Sequence, residues 1–98
     1  MELKNRIKEL SKAYLEDVVF YRRHFHALPE LALQEHKTAA YIASKLAAMG
    51  ISFKEGVAQT GLVAMIEGRG DSDAVVALRA DMDALPITEE NRVEYKSS

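Results

Sequence analysis

The most informative absence in this sequence of 98 residues is that of cysteine. Without a thiol the chain cannot form a disulfide, and it cannot build a zinc site from thiolates. Long apolar runs are also missing, and the N-terminal stretch MELKNRIKELSKAY is charged throughout. Neither a membrane span nor a secretory signal peptide is therefore predicted, and a cytoplasmic protein is expected.

A surplus of positive charge is missing as well. The chain has 13 Lys and Arg residues against 15 Asp and Glu, a net charge of −2, and the basic residues are scattered. A protein that binds nucleic acid would need a basic face, so neither DNA nor RNA is an expected partner. The length predicts one domain at most.

Apolar spacing predicts two helices in the first half of the chain. Apolar residues recur every three or four positions over residues 3–25, as on a helix with one buried stripe. This helix should end near Ala27, because Pro29 keeps the residue before it out of the helical region. A second helix is expected after Pro29 and should end at Gly50. Its apolar face would comprise Thr38, Ile42, Leu46 and Met49.

Three strands are predicted in the second half. ISFKEGV (51–57) alternates apolar and polar residues, and GLVAMIEG (61–68) is a continuous apolar run expected to be more buried. AVVALRADMDAL (74–85) should be the third strand, ended by Pro86. The predicted fold class is α/β, with two N-terminal helices packed on a three-stranded portion of a larger, mixed sheet. Residues 74–78 would be central, covered by the first helix through Ile7, Leu10, Tyr14 and Val18.

The end of the predicted third strand carries the most suggestive polar residues. Arg79, Asp81 and Asp83 alternate with apolar residues and therefore share one face of a strand. Three interpretations stay open: a face emerging into water, a surface Arg–Asp pair of little energetic weight, or a functional site. In the third, carboxylates at a strand end bind a metal or hold a metal-bound histidine in its tautomer.

Two shorter motifs need less than a functional site. His24 and His26 are two apart and would point to nearly opposite sides of a helix, so they cannot share a metal ion there. His24 is expected to be structural, whereas the role of His26 stays open, because it lies next to the break at Pro29, where chain reversal can bring it near a site. Arg69, Gly70 and Asp71 form an adhesion-like tripeptide, but glycine and aspartate are what a turn between two strands needs.

Three stretches together resemble a known family. RRHFHALPELALQE (22–35), TGLVAMIEG (60–68) and ALRADMDALPITEE (77–90) are similar, in order and spacing, to the N-terminal part of the aminoacylase/carboxypeptidase-type metal-dependent amidohydrolases. The most similar subgroup contains hippurate hydrolase, bacterial N-acyl-amino-acid deacetylases and plant auxin-conjugate hydrolases. The resemblance covers almost the whole chain from about residue 15.

The resemblance implies a much longer protein. Family members have an α/β catalytic domain with an inserted lid or dimerisation domain, and they cleave the amide of N-acyl amino acids with two divalent metal ions, zinc or manganese. Residues 1–98 would be the N-terminal part of the catalytic domain, with the inserted domain and the remainder lying outside. A small-molecule substrate is expected, without nucleic acid or membrane, and the full-length protein is expected to be a homodimer.

The resemblance also assigns roles to particular residues. Asp83, before the ALP sequence, matches an aspartate that orients a metal-bound histidine, while Asp81 stands where many relatives have a histidine, so Asp81 is not expected to be a ligand. Arg79 and Asp81 would be supports. The family motif RR-x-x-H-x-x-P-E matches three further residues without an assigned mechanism, namely Arg23, His26 and Glu30.

Metal ligands and the general base are not expected within the chain, since the family's CGHD motif is not found in it. Two hypotheses follow. The chain is the N-terminal piece of an N-acyl-amino-acid amidohydrolase, inactive alone, or it is a short non-catalytic binding module derived from this subdomain.

Overall fold

The computed structural model describes residues 2–98, which form two compact units. The helical unit is the chain up to Leu28 together with Thr88–Ser98, and the hairpin unit is Pro29–Ile87. Three helices and one antiparallel pair of strands make up the regular structure of these residues. The predicted mixture of helix and strand is confirmed. Across residues 2–98, no helix combines the length and apolar character needed to cross a membrane.

The helical unit contains two consecutive helices, α1 (Leu3–Ala13) and α2 (Leu15–Ala27). One uninterrupted helix was predicted over this range, and its end is correct. The interruption is a local change of backbone at Tyr14, where φ is −100° and ψ is 3°. Hydrogen bonds of 3.0 Å still run from the Tyr14 N–H to the Leu10 carbonyl and from the Val18 N–H to the Tyr14 carbonyl. A break that keeps these bonds is invisible to apolar spacing.

The hairpin unit begins with helix α3 (His36–Ala48), which confirms the second predicted helix and its end. Gly50 has a φ of 72°, in the left-handed region that glycine adopts without strain. Its N–H donates to the Ala47 carbonyl at 3.1 Å, and the Ile51 N–H donates to the Leu46 carbonyl at 3.0 Å. These two bonds form a Schellman cap, which satisfies carbonyls that the last helical turn leaves free.

Strands β1 (Ser52–Val57) and β2 (Gly61–Met65) follow as an antiparallel hairpin packed on α3, which confirms two of the predicted strands. The register shifts at Gly56, whose φ of 72° is that of a glycine β-bulge. The connection uses Ala58 at φ 49° and Gln59 at φ 81°, two non-glycine residues in the left-handed region. The expectation that β2 would be the more buried strand is not confirmed, because each strand has two half-buried residues and its other residues are exposed.

The third predicted strand is not confirmed. Residues 74–85 form no strand, and Val76 and Leu78 are 88% and 96% exposed. The helix residues expected to cover them do not bury an apolar face either, since Ile7, Tyr14 and Val18 are themselves exposed. The physical reason is that a strand exists only when a neighbour takes up its main-chain hydrogen bonds. Within residues 2–98, β2 is paired with β1 alone.

Buried side chains of the described residues are polar. Glu35, Thr38 and Thr60 are 8%, 7% and 6% exposed, and none of the apolar side chains in residues 2–98 reaches that degree of burial. A two-stranded hairpin is too small a sheet to bury an apolar face by itself. The best-buried point of the hairpin unit is therefore the start of α3.

Candidate functional site

The residues predicted to form a site lie on the extended segment that follows the hairpin. The Nη2 atom of Arg79 is 3.4 Å from Oδ1 of Asp81, and both side chains are largely exposed. Asp83 is exposed as well. An exposed pair of this kind contributes about 0–1 kcal/mol, so the Arg79–Asp81 contact does little to hold the segment.

A main-chain hydrogen bond anchors the residue directly after Asp83. The Ala84 N–H donates to the carbonyl oxygen of Glu30 at 2.8 Å. The neighbouring Ile87 N–H donates to the Leu85 carbonyl at 2.8 Å and forms a local turn. Asp83 is thus joined directly to an anchored residue, whereas no hydrogen bond seen in residues 2–98 links Arg79 or Asp81 to a residue distant in sequence.

The side chain of Glu30 caps α3. Its Oε1 accepts hydrogen bonds from the N–H and the hydroxyl of Thr38 at 2.6 and 2.7 Å, and Oε2 accepts the Lys37 N–H at 3.1 Å. Glu35, in the usual capping position, makes no side-chain cap bond to the helix. A carboxylate is favoured here by the free N–H groups and by the positive end of the helix dipole.

Hydrogen bonding also lowers the pKa of Glu30. Desolvation acts to raise its pKa, but the hydrogen bonds from Thr38 and Lys37, with a smaller contribution from the charge of His36, outweigh it. The net pKa of Glu30 therefore lies below its ordinary value of 4.5, and the capping carboxylate is ionised at neutral pH.

The turn between β1 and β2 also contacts the start of α3. The hydroxyl of Thr60 donates to Oε1 of Glu35 at 3.1 Å, and both side chains are buried. The α3 N-terminal cluster consists of Glu30, Glu35, Thr38 and Thr60. It ties the segment before α3, the helix itself and the turn between β1 and β2 to one point.

A second polar cluster lies in the helical unit, at the end of α2. The Nε2 atom of His26 is 2.8 Å from Oε1 of Glu89, and the same oxygen accepts the Ser97 N–H at 2.8 Å. The guanidinium of Arg23 lies 4.3 Å from the ring centroid of Tyr95. The hydrogen bond from Ser97, and after it the bond to His26, hold the pKa of Glu89 below 4.5. The cluster fastens residues 89–97 to α2.

Sequence reasoning had located part of both clusters without a mechanism. Arg23 and His26 belong to the cluster of the helical unit, and Glu30 belongs to the α3 N-terminal cluster. Glu89 and Thr60 were missed, because each is brought to its partner by chain reversal and lies on no periodic face. The signal that could have found them is the family resemblance itself, because Thr60 and Glu89 lie within the similar stretches 60–68 and 77–90.

The metal centre implied by the family resemblance does not fit the described residues alone. Within residues 2–98, no three side chains of His, Asp or Glu come together in a way that could hold a metal ion. Two exposed carboxylates on one segment do not close a coordination sphere.

Comparison with known proteins shows what the chain is similar to. No family model and no solved structure matches the chain. Among the curated relatives is a Synechocystis protein named "Probable hydrolase", which is 47% identical over 89 residues, or 91% of this chain and 22% of the relative. The chain is therefore homologous to part of a protein named as a hydrolase.

Two relatives carry more specific names. YhaA of Bacillus subtilis, named as an amidohydrolase, is 47% identical over 92% of this chain and 23% of its own length. An N-acyl-L-amino acid amidohydrolase of Geobacillus stearothermophilus is 44% identical over 96% of this chain and 25% of its own length. The resemblance to amidohydrolases is confirmed, and the chain spans about a quarter of the length of these relatives.

Proposed function

We propose that this chain is the N-terminal part of the catalytic domain of a metal-dependent hydrolase that cleaves the amide bond of N-acyl amino acids. The observation that carries the proposal is the 44% identity, across 96% of the chain, to an N-acyl-L-amino acid amidohydrolase. Substrates of the hippurate type or N-acetyl amino acids are the favoured class. Because the chain covers 25% of that relative, the activity belongs to the complete hydrolase.

Asp83 is the residue of this chain proposed to serve the reaction most directly. Its carboxylate would accept the ring N–H of a metal-ligating histidine and hold that ring in one orientation and tautomer. Arg79 and Asp81 would support the same segment. Two zinc or manganese ions, their ligands and the general base would be supplied by the remainder of the hydrolase, which we further propose to be a cytoplasmic homodimer.

Two matched proteins test the proposal, the 98-residue chain and the complete hydrolase that contains it. We expect the complete protein to hydrolyse hippurate or N-acetyl amino acids, to lose activity with a chelator and to recover it with zinc or manganese. The chain alone should show no turnover above a metal-only blank and no submicromolar metal binding by calorimetry. Turnover by the chain would overturn the proposal that the metal ligands and the general base lie outside it. An inactive, metal-loaded complete protein would overturn the proposed function.

The alternative is a non-catalytic interaction module, and one observation favours it. Within the hairpin unit, the large apolar side chains of Met65 and Leu78 are 62% and 96% exposed, and exposed apolar side chains can bind another protein. The reading frame downstream of Ser98 separates the two hypotheses. Continuation into further hydrolase sequence favours the enzyme, and a stop codon at that point favours the module.

A further inference from the structure

Glu30 connects two parts of the hairpin unit through two different groups. Its carboxylate binds the first turn of α3 at Thr38 and Lys37, and its carbonyl oxygen binds the Ala84 N–H. One residue therefore spans from a helix terminus to the peptide bond that joins Asp83 and Ala84.

The helix side of this connection is the firmer one. Thr38 is 7% exposed, and the α3 N-terminal cluster also engages Glu35 and Thr60, which are equally buried. Three hydrogen bonds of 2.6 to 3.1 Å hold the Glu30 carboxylate there, and charge-assisted bonds of this kind are stronger than neutral ones.

The segment that contains Asp83 has few hydrogen bonds to the rest of the hairpin unit. Residues 74–85 form no strand, and the other hydrogen bonds seen from Ser72 to Ile87 join residues two apart, namely Ala74 with Ser72, Arg79 with Asp81, and Ile87 with Leu85. The bond from Ala84 to Glu30 is the one that reaches a distant, well-held residue. The location of the Asp83 main chain consequently depends on where Glu30 is held.

We propose that Glu30 is a positioning residue for Asp83: its carboxylate locks the connector before α3 to the start of that helix, and its carbonyl then fixes the main chain at Asp83 and Ala84. The inference rests on the proposed function of Asp83 in the complete hydrolase. Glu30 itself touches neither substrate nor metal in this scheme. It acts through the peptide bond that follows Asp83.

Hydrogen exchange tests the geometric part in the complete hydrolase. Glu30→Ala keeps the carbonyl but frees the connector from α3, so the peptide covering residues 79–87 should exchange several-fold faster. Glu55→Gln is the matched control, since Glu55 is an exposed carboxylate of the same unit, and it should leave the exchange unchanged. Glu30→Gln replaces Glu30→Ala if that variant does not fold; its exchange should rise by a smaller factor, since the amide loses the charge and cannot accept the Lys37 N–H at the position of Oε2. Unchanged exchange in the variant that folds would overturn the proposal.

A double-mutant cycle tests the functional part at a temperature where all variants are folded. We expect Glu30→Ala to lower kcat several-fold, at most about 10-fold, with KM unchanged. If Glu30 acts through Asp83, the pair Glu30→Ala/Asp83→Asn should be no slower than Asp83→Asn alone. A merely structural cap would lower the melting temperature and leave kcat unchanged.

Failure of the Glu30 inference and failure of the proposed function would give different results. Losses that multiply in the double variant, while Asp83→Asn alone is strongly impaired, would overturn the Glu30 inference and leave the proposed function standing. Full activity of Asp83→Asn would instead overturn the role of Asp83 in the proposed function, and with it the functional part of the Glu30 inference. The exchange measurement then still decides whether Glu30 holds the segment.

Discussion

Asp81 and Asp83 offer a comparison at the scale of single residues, because both are exposed and they are two positions apart. Asp81 contacts Arg79, whereas Asp83 precedes the anchored Ala84. If Asp83 orients a metal-bound histidine as proposed, Asp83→Asn in the complete protein should reduce kcat/KM by about 10- to 100-fold, since the amide keeps the shape but loses the charge that would raise the ligand's basicity. Asp81→Asn should cost less.

The measurement for this pair is steady-state kinetics combined with metal content and thermal unfolding. A general electrostatic effect would act on both carboxylates alike, so each variant serves as the control for the other. Equal, small losses with intact metal content would mean that this segment is an ordinary solvated edge. A larger loss for Asp81→Asn would mean that the other carboxylate does the orienting.

At the scale of elements, the β1–β2 hairpin depends on one glycine for close approach of the two strands. A Cβ atom on Gly61 would lie 2.6 Å from the carbonyl oxygen of Val57, the residue opposite it in the ladder. Real Cβ atoms do not approach main-chain oxygen this closely, so the strands must move apart. Gly61→Ala should lower the free energy of unfolding by about 1–3 kcal/mol.

Gly68→Ala is the matched control for the hairpin prediction. Nothing lies within 4 Å of a Cβ atom added to Gly68, and its φ is outside the left-handed region. The free energy of unfolding of the Gly68→Ala variant should change by no more than about 0.5 kcal/mol, or rise slightly because the unfolded chain has less entropy. Urea denaturation of both variants checks the pair, and equal midpoints would show that the strands accommodate the extra methyl group.

At the scale of the whole molecule, residues 74–78 are exposed, although the sequence predicts them to be a central strand. Leu78 is 96% exposed in the chain, so Leu78→Ala should change the stability of the chain by no more than about 0.5 kcal/mol. If the remainder of the hydrolase pairs with this segment and covers it, the same substitution in the complete protein should cost about 2–5 kcal/mol. Chemical denaturation of the chain and of the complete protein, each with and without Leu78→Ala, makes the comparison. A small loss of stability in both the chain and the complete protein would contradict the central-strand prediction.

The fold was predictable wherever the signal lies among near neighbours. Apolar residues three or four apart located α2 and α3, Pro29 and Gly50 gave their ends, and alternation located β1. The interruption at Tyr14 was not predictable, because the apolar spacing continues through it. The candidate site was predictable only in part: the motif named Glu30 and His26, but their contacts were unknown.

The sequence by itself determined the local elements, the absence of thiols from these 98 residues and the resemblance to amidohydrolases, since propensity, periodicity and motif spacing all act within short windows of the chain. The tertiary structure alone decided which polar groups meet. His26 and Glu89 are 63 positions apart, and Glu30 reaches Ala84 across helix α3 and the hairpin in sequence. Such pairs depend on chain reversals that no local pattern records. The tertiary structure also decided that residues 74–78 stay unpaired in this chain, because a strand is completed by a neighbour and not by its own sequence.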